Sequence, residues 1–331
     1  LKDLERRSFN TAKGHKTSIN SFESYLAETK ADLKKPLNTL SGFVEWLEIG
    51  GKSAVTINGY VNKVKKYLRL CYGIKLDSDD FKDFVALPQV IDEELDPLSK
   101  DEFKLIIESA RNPRRKALYW FIASTGCRIA EAVQVRKHMI DFSVSPALVT
   151  LPAKITKGKK RTRYQYLTRE NTPLIRSVCN KLNDNDLVFT KSEKLVNALS
   201  NEQHSLQNLL ESMGMNEKYE HNGHLKKSFH SMRAFVSSQI YNSSRDSEYS
   251  HAYLGHDTYL NQYLRKSDKE RAEMFNEVES ALTIFSEITA RNDLGMKKEL
   301  NEIKSKMEKY KVLDNILDNL DQPKLEALLK Q

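Results

Sequence analysis

Ser124–Ala132 reads STGCRIAEA, and the rest of the chain makes sense outward from these residues. Gly126 breaks an apolar run, and Arg128 stands at what reads as a Gly-opened helix start over Arg128–Arg136. Helix N-termini gather anions through their free N–H groups, so a guanidinium placed there is aimed at a phosphate-sized ligand. Alone, Arg128 is an ordinary surface arginine. Its meaning depends on three further islands in the same chain.

The first follows directly. Lys154–Arg163 reads KITKGKKRTR, in which six of the ten residues are Lys or Arg. It joins two β-prone runs, ALVTLPAKI and RTRYQYLT, so residues 147–168 are expected to form a hairpin with Gly158 at its turn. The second is HSMR, His230–Arg233, whose i, i+3 spacing puts both side chains on one helical face. The third is LGHDTYLNQYLRK, which carries His256, Tyr259 and Tyr263.

Each island also has a plain structural meaning. A basic run is usually a solvated hairpin or a non-specific phosphate patch, an isolated HxxR is usually helix surface, and Gly255 could simply end a helix. Two tyrosines at i, i+4 are commonly core aromatics. Together, however, they supply what phosphodiester cleavage without a metal requires. Arginine forks neutralise the non-bridging oxygens, a nucleophile reaches phosphorus, and an acid protonates the leaving oxygen.

The remaining sequence bounds the frame. The 331 residues carry a net charge of +8, and the excess lies in 96–290, with 29 Lys+Arg against 23 Asp+Glu. Residues 1–95 have 15 against 14, and 291–331 have 9 against 8. Cys71, Cys127 and Cys179 are far apart, which argues against a zinc ribbon or disulfide framework. His221 and His224, in HNGH, lack neighbouring cysteines and read as a loop near DNA rather than a zinc site. No apolar run approaches the roughly 18 residues of a membrane span, and no secretory signal pattern opens the sequence. A cytoplasmic or nucleoid-associated protein is expected.

Helical periodicity marks Ser18–Glu28, Leu37–Glu48 and Val55–Tyr72, with a short helix over Asp79–Ala86. Gly50-Gly51 and Gly73 stop the second and third. The acidic stretch between Pro88 and Pro97 reads as a linker, and Ser99 with Glu102 forms a capping box that opens a new helix. Helices follow near 100–110 and 113–124, and again from Thr172. From Met296 to Leu320 one apolar stripe recurs at three- and four-residue steps, predicting an amphipathic helix that needs a partner.

With TGCRIAE, TKGKK, HSMR, LGH and a following Tyr in this order, the chain resembles the tyrosine site-specific recombinases: phage integrases, Xer-type and Cre-type recombinases and archaeal relatives. The resemblance covers about 97–290, and the helical N-terminal region is similar to the family's core-binding domain. It implies a mainly α fold with a small antiparallel β-sheet. The implied domains are an all-α DNA-binding domain over 1–95, a catalytic domain over 96–290, and a protomer-contacting helix over 291–331.

The resemblance also implies roles. Arg128 and Arg233 would clamp the scissile phosphate, Lys157 would protonate the leaving oxygen, and His230 and His256 would assist. Glu131 would support the site, and Tyr263 would attack phosphorus, with Tyr259 as the alternative because Tyr263 already lies closer to the LGH histidine than is usual. Lys154, Lys159, Lys160, Arg161, Arg163, Lys63 and Lys66 would contact DNA. No metal or nucleotide cofactor is implied. The expected partner is double-stranded DNA, on which a tetramer assembles and resolves a Holliday junction. A catalytically silent DNA-binding protein of the same fold, and a telomere-resolvase or topoisomerase-like enzyme, are the alternatives.

Overall fold

The computed structural model describes residues 9–91, 97–158, 161–220, 223–256 and 266–285. The chain divides into two units: Leu1–Glu94 with Lys218–His224, and Leu95–Glu217 with Leu225–Gln331.

Among the described residues the first unit has four helices: α1 Phe9–Thr29, α2 Pro36–Ile49, α3 Ala54–Cys71 and α4 Ser78–Phe84. Helix α1 is longer at its N-terminal end than the apolar pattern from Ser18 suggests. Its interior face carries Phe22 and Tyr25, which meet Leu40, Phe43 and Leu47 of α2 and Ile57, Val61, Val64 and Leu68 of α3. Phe22 and Phe43 pack edge-on with ring centroids 5.1 Å apart, a geometry that adds to simple burial. Gly51 (φ +68°) and Gly73 (φ +69°) adopt left-handed conformations just beyond α2 and α3, where a side chain would be strained. Pro36 opens α2 at a position that needs no N–H. Polar bonds clip the helix edges together: Trp46 Nε1 donates to Glu28 at 3.1 Å, and the Tyr67 hydroxyl donates to Glu23 at 2.7 Å.

The second unit opens with α5, Lys100–Ser109, whose first turn carries the expected capping box. Ser99 Oγ accepts from the Glu102 N–H at 3.1 Å, and the Glu102 carboxylate accepts from the Ser99 N–H at 2.7 Å. Helix α6, Pro113–Thr125, follows and is buried on nearly every side. It is wrapped by α5, by α8 (Thr172–Cys179), and by α10 (Phe229–Ser244). Helices α9 (Leu195–Ser212), α11 (Ser247–Leu254) and α12 (Asp268–Leu282) complete the shell, and α10 packs along both α11 and α12. Phe103, Phe121, Phe189, Phe235 and Phe275 are fully buried or nearly so within this core.

Strands β1 (Ile140–Asp141), β2 (Leu148–Leu151) and β3 (Arg163–Tyr166) form an antiparallel sheet in the order β1-β2-β3, with Leu148 opposite Tyr166 and Leu151 opposite Arg163. The strands are shorter than the β-prone runs, since Pro152 ends β2 and Ala153–Ile155 turn into a 3₁₀ helix. β2 and β3 thus pair as the expected hairpin, and the described residues 152–158 and 161–162 belong to its connection. Gly158 lies within it at φ +83°, while Lys159 and Lys160 lie outside the described residues. The helix expected over Arg128–Arg136 is only α7, Ile129–Ala132. Among the described residues no helix is long and apolar enough to cross a membrane.

Candidate active site

Helix α6 ends at Gly126, whose left-handed backbone (φ +59°) turns the chain into α7. Gly126 thus closes one helix rather than opening the next. A Cβ there would meet Leu254 at 2.4 Å and Val236 at 3.1 Å, so this turn also depends on glycine for close packing against α10 and α11. Arg128 occupies the position just before α7, and its own N–H donates to Glu131 at 3.1 Å. The Arg128 side chain stays partly open to solvent while Nη1 reaches Glu131 Oε1 at 3.4 Å.

Glu131 is almost completely buried and gathers the surrounding segments. Its carboxylate accepts from the Lys157 N–H at 3.1 Å, which ties the basic connection between β2 and β3 to α7. It also pairs with the Arg163 guanidinium. Burial alone would raise its pKa. The charge and hydrogen bond of Arg163, with the N–H groups of Lys157 and Arg128, outweigh that and hold it below the ordinary carboxyl value.

Arg163 departs from expectation. Its guanidinium points inward, pairing with Glu131 and donating to the Leu254 carbonyl at 2.7 Å, and its side chain is only 11% exposed. In this structure it braces the site from within. Strand alternation places Gln165 on the same face, and that residue is fully buried. Its Nε2 donates to the Thr125 and Tyr253 carbonyls at 2.6 and 3.2 Å, and its Oε1 accepts from Cys127 Sγ at 2.8 Å. Two polar residues at i, i+2 on the inward side of a strand are the sequence signal for this network.

Arg233 lies in the first turns of α10 and is 4% exposed. Its Nη1 donates to the Gly126 carbonyl at 2.5 Å, and its Nη2 donates to the Leu254 carbonyl at 2.6 Å and lies 3.1 Å from His256 Nε2. Burial, then the neighbouring charge of Arg128, brings its pKa down to about 10. His230 sits one turn earlier on the same helix face, its ring only partly covered. Burial of its ring, then the charges of Arg233, Arg128 and Lys157, lowers its pKa. His256 shows the same pattern: burial first, then Arg233, Arg128, His251 and Arg163. Both imidazoles are thereby biased toward the neutral form.

Of these groups Arg128, Lys157, Arg163 and His256 line a cleft of about 960 Å³, together with Arg161, Tyr249, Tyr253, Lys266 and Arg271, among others. Its lining mixes the aromatic rings of Tyr164, Tyr166, Tyr249 and Tyr253 with charged side chains. The structure therefore brings Arg128, Glu131, Lys157, His230, Arg233 and His256 into one neighbourhood. Lys154 is exposed on the 3₁₀ turn. Lys63 and Lys66 lie on α3 of the first unit, where together they depress the pKa of His15 after burial does so. His224 is exposed. Tyr259, Tyr263, His221 and the stripe Met296–Leu320 lie outside the described residues, as do Lys159 and Lys160. Sequence reasoning missed the bracing role of Arg163, the contact between His251 and His256, and the cleft residues Tyr249 and Arg271.

The phage integrase family model matches residues 97–270. No curated protein sequence matches the chain. The Tn1549 transposon integrase in complex with transposon right end DNA is 15% identical at a TM-score of 0.58, covering 83% of this chain and 96% of that one. A lambda integrase dimer bound to a COC′ core site is 12% identical at 0.56, covering 81% and 96%. The XerH site-specific recombinase bound to its difH substrate is 17% identical at 0.52, covering 79% and 77%. At such identities the likeness is one of fold.

Proposed function

The chain belongs to the phage integrase family, and on that premise we propose that it is a tyrosine recombinase that cuts and rejoins double-stranded DNA at specific sites through a 3′-phosphotyrosyl intermediate. The observation that carries the residue assignment is Arg233, a buried guanidinium held beside Arg128 with its pKa pushed down. Two like charges kept in one neighbourhood are a standing cost that an anion relieves, and a phosphorane-like transition state relieves it more than the ground state does.

Arg128 and Arg233 clamp the non-bridging oxygens. His256 and His230 hydrogen-bond the phosphate and move protons at its oxygens. Lys157 protonates the departing 5′ oxygen, and Tyr263 attacks phosphorus, with Tyr259 as the alternative. Glu131 and Arg163 position Arg128 and the backbone of Lys157. The cationic side chains do the neutralising, so neither a metal nor a nucleotide is required. Residues 1–95 act as the core-binding domain through Lys63 and Lys66, and residues 96–290 form the catalytic domain, to which Lys154, Lys159, Lys160 and Arg161 add phosphate contacts. Residues 291–331 reach a neighbouring protomer in a tetrameric synapse assembled on intracellular DNA.

The test is a nicked suicide duplex taken from the DNA flanking the gene, incubated with the protein in EDTA and resolved under denaturing conditions. A protein–DNA adduct that withstands denaturation is the expected result. DNA binding without an adduct would make this a silent DNA-binding protein of the same fold, and an adduct that requires added metal would overturn the assigned chemistry.

A further inference from the structure

Helix α11 ends in the sequence His251-Ala-Tyr-Leu-Gly-His256. Gly255 is left-handed at φ +72°. The Gly255 N–H bonds the Ala252 carbonyl and the His256 N–H bonds the His251 carbonyl, both at 2.9 Å. This paired closure brings the side chain of His251, the fourth-last helical residue, against that of the residue after the glycine, a contact usually made by two apolar groups. Here it is made by two imidazoles, whose ring centroids are 5.3 Å apart and whose Nδ1 atoms are 3.0 Å apart.

The hydrogen-bond directions follow from donor inventory. Arg233 Nη2 can only donate, so His256 Nε2 accepts from it, and the neutral His256 ring carries its proton on Nδ1. That proton points at His251 Nδ1. The other charges acting on His256 come from Arg128 before α7, Arg163 on β3 and Arg233 on α10, all of them donors. His251 offers an acceptor in the direction these arginines cannot serve.

We propose that His251 is a positioning residue for DNA cleavage, holding the His256 ring by Nδ1 so that Nε2 stays directed at Arg233 and at the phosphate clamped there; this rests on the assignment of the clamp given above. The same contact serves both protonation states. A neutral Nδ1–H donates to His251, and an imidazolium formed as His256 meets the phosphate donates through the same atom. A ring anchored in this way keeps its orientation when Arg233 turns toward the ligand.

The experiment compares His251→Phe, which keeps a ring without nitrogen, with His251→Asn, which places an amide atom near the position of Nδ1. Single-turnover cleavage of the suicide duplex and DNA affinity are measured for each, and again with His256→Phe alone and combined with His251→Phe. His251→Phe is expected to slow cleavage about 10- to 100-fold, the worth of one hydrogen bond to a charged group, with DNA affinity unchanged. His251→Asn recovers most of the rate, and His251→Phe adds no further loss once His256 is Phe. Wild-type cleavage by His251→Phe, while His256→Phe is slow, overturns the proposal and leaves the clamp intact. Loss without recovery in the Asn variant, or loss that adds fully to that of His256→Phe, also overturns it. Wild-type cleavage by His256→Phe removes His256 from the clamp itself.

Discussion

Arg233 donates from Nη1 to the carbonyl oxygen of Gly126, 107 residues earlier in the chain. With its bonds to Leu254 and His256, that single guanidinium joins the turn after α6 to the end of α11. On the proposed assignment, an arginine that both clamps the phosphate and fixes its own neighbours gives two separable consequences on mutation. Arg233→Ala should slow adduct formation by about 10²–10³-fold or more, the typical loss of a preorganised charge contact, and should lower thermal stability as well. Arg128→Ala should slow cleavage comparably with a smaller loss of stability, because its side chain is more exposed. Arg→Lys at either position should recover little, since an ammonium cannot make the forked contact. Cleavage rates and melting curves for all four variants check this. Near wild-type cleavage by both alanine variants would contradict it.

Lys157 is expected to act at one step only. Lys157→Ala should depress cleavage of ordinary DNA, and a substrate with a 5′-bridging phosphorothiolate should restore it, because a thiolate leaves without a proton. Rescue seen instead with Lys159→Ala or Lys160→Ala would move the acid across Gly158.

Glu131 predicts a pH dependence of stability. Its folded pKa is depressed, so its contribution is fully present above the ordinary carboxyl value of 4.5 and is lost as the pH falls through the lowered value. Glu131→Gln should cost about 3–5 kcal/mol at pH 7, as breaking a buried pair does. The gap in stability from wild type should narrow below pH 4.5. A gap that stays constant from neutral pH down to strong acid would show that the carboxylate charge is not what holds these segments.

The islands at Arg128, His230–Arg233 and His256 were legible because the proposed chemistry calls for specific residue types there, in a short helical or turn setting. The amphipathic helices of the first unit were legible for a different reason, since each buries one stripe and exposes the rest. Helix α6 offers no such stripe, being buried all round, and in the sequence only its ends at Pro113 and Gly126 mark it. Strand β1 is only two residues long and carries no periodic signal. The pairing of Arg163 with Glu131 was not legible because a cation in a run of cations looks like a phosphate contact; only the three-dimensional fold turns it toward Glu131. His251 escaped notice because its partner becomes a neighbour through the turn at Gly255, not through helical spacing.

Gly255 is expected to tolerate no side chain. Its backbone is left-handed, and a Cβ would meet the Arg163 side chain at 2.3–2.9 Å. Gly255→Ala therefore adds a conformational cost of about 1–2 kcal/mol to displacement of the residue that braces Glu131. A lower melting temperature together with slowed cleavage is expected, whereas an unchanged cleavage rate would show that the Arg163 brace is dispensable.

Strand cleavage by a tyrosine is read out by which hydroxyl becomes attached to DNA. Tyr263→Phe, Tyr259→Phe and the wild-type protein should each be incubated with the nicked suicide duplex, and the covalent adduct and DNA affinity measured in parallel. Tyr263→Phe should form no adduct while binding DNA as the wild type does, because only the attacking oxygen is gone, and Tyr259→Phe should still form it. Full adduct formation by Tyr263→Phe would contradict the assignment, passing the role to Tyr259 if that variant alone fails, and overturning a tyrosine nucleophile in this segment if both variants still react.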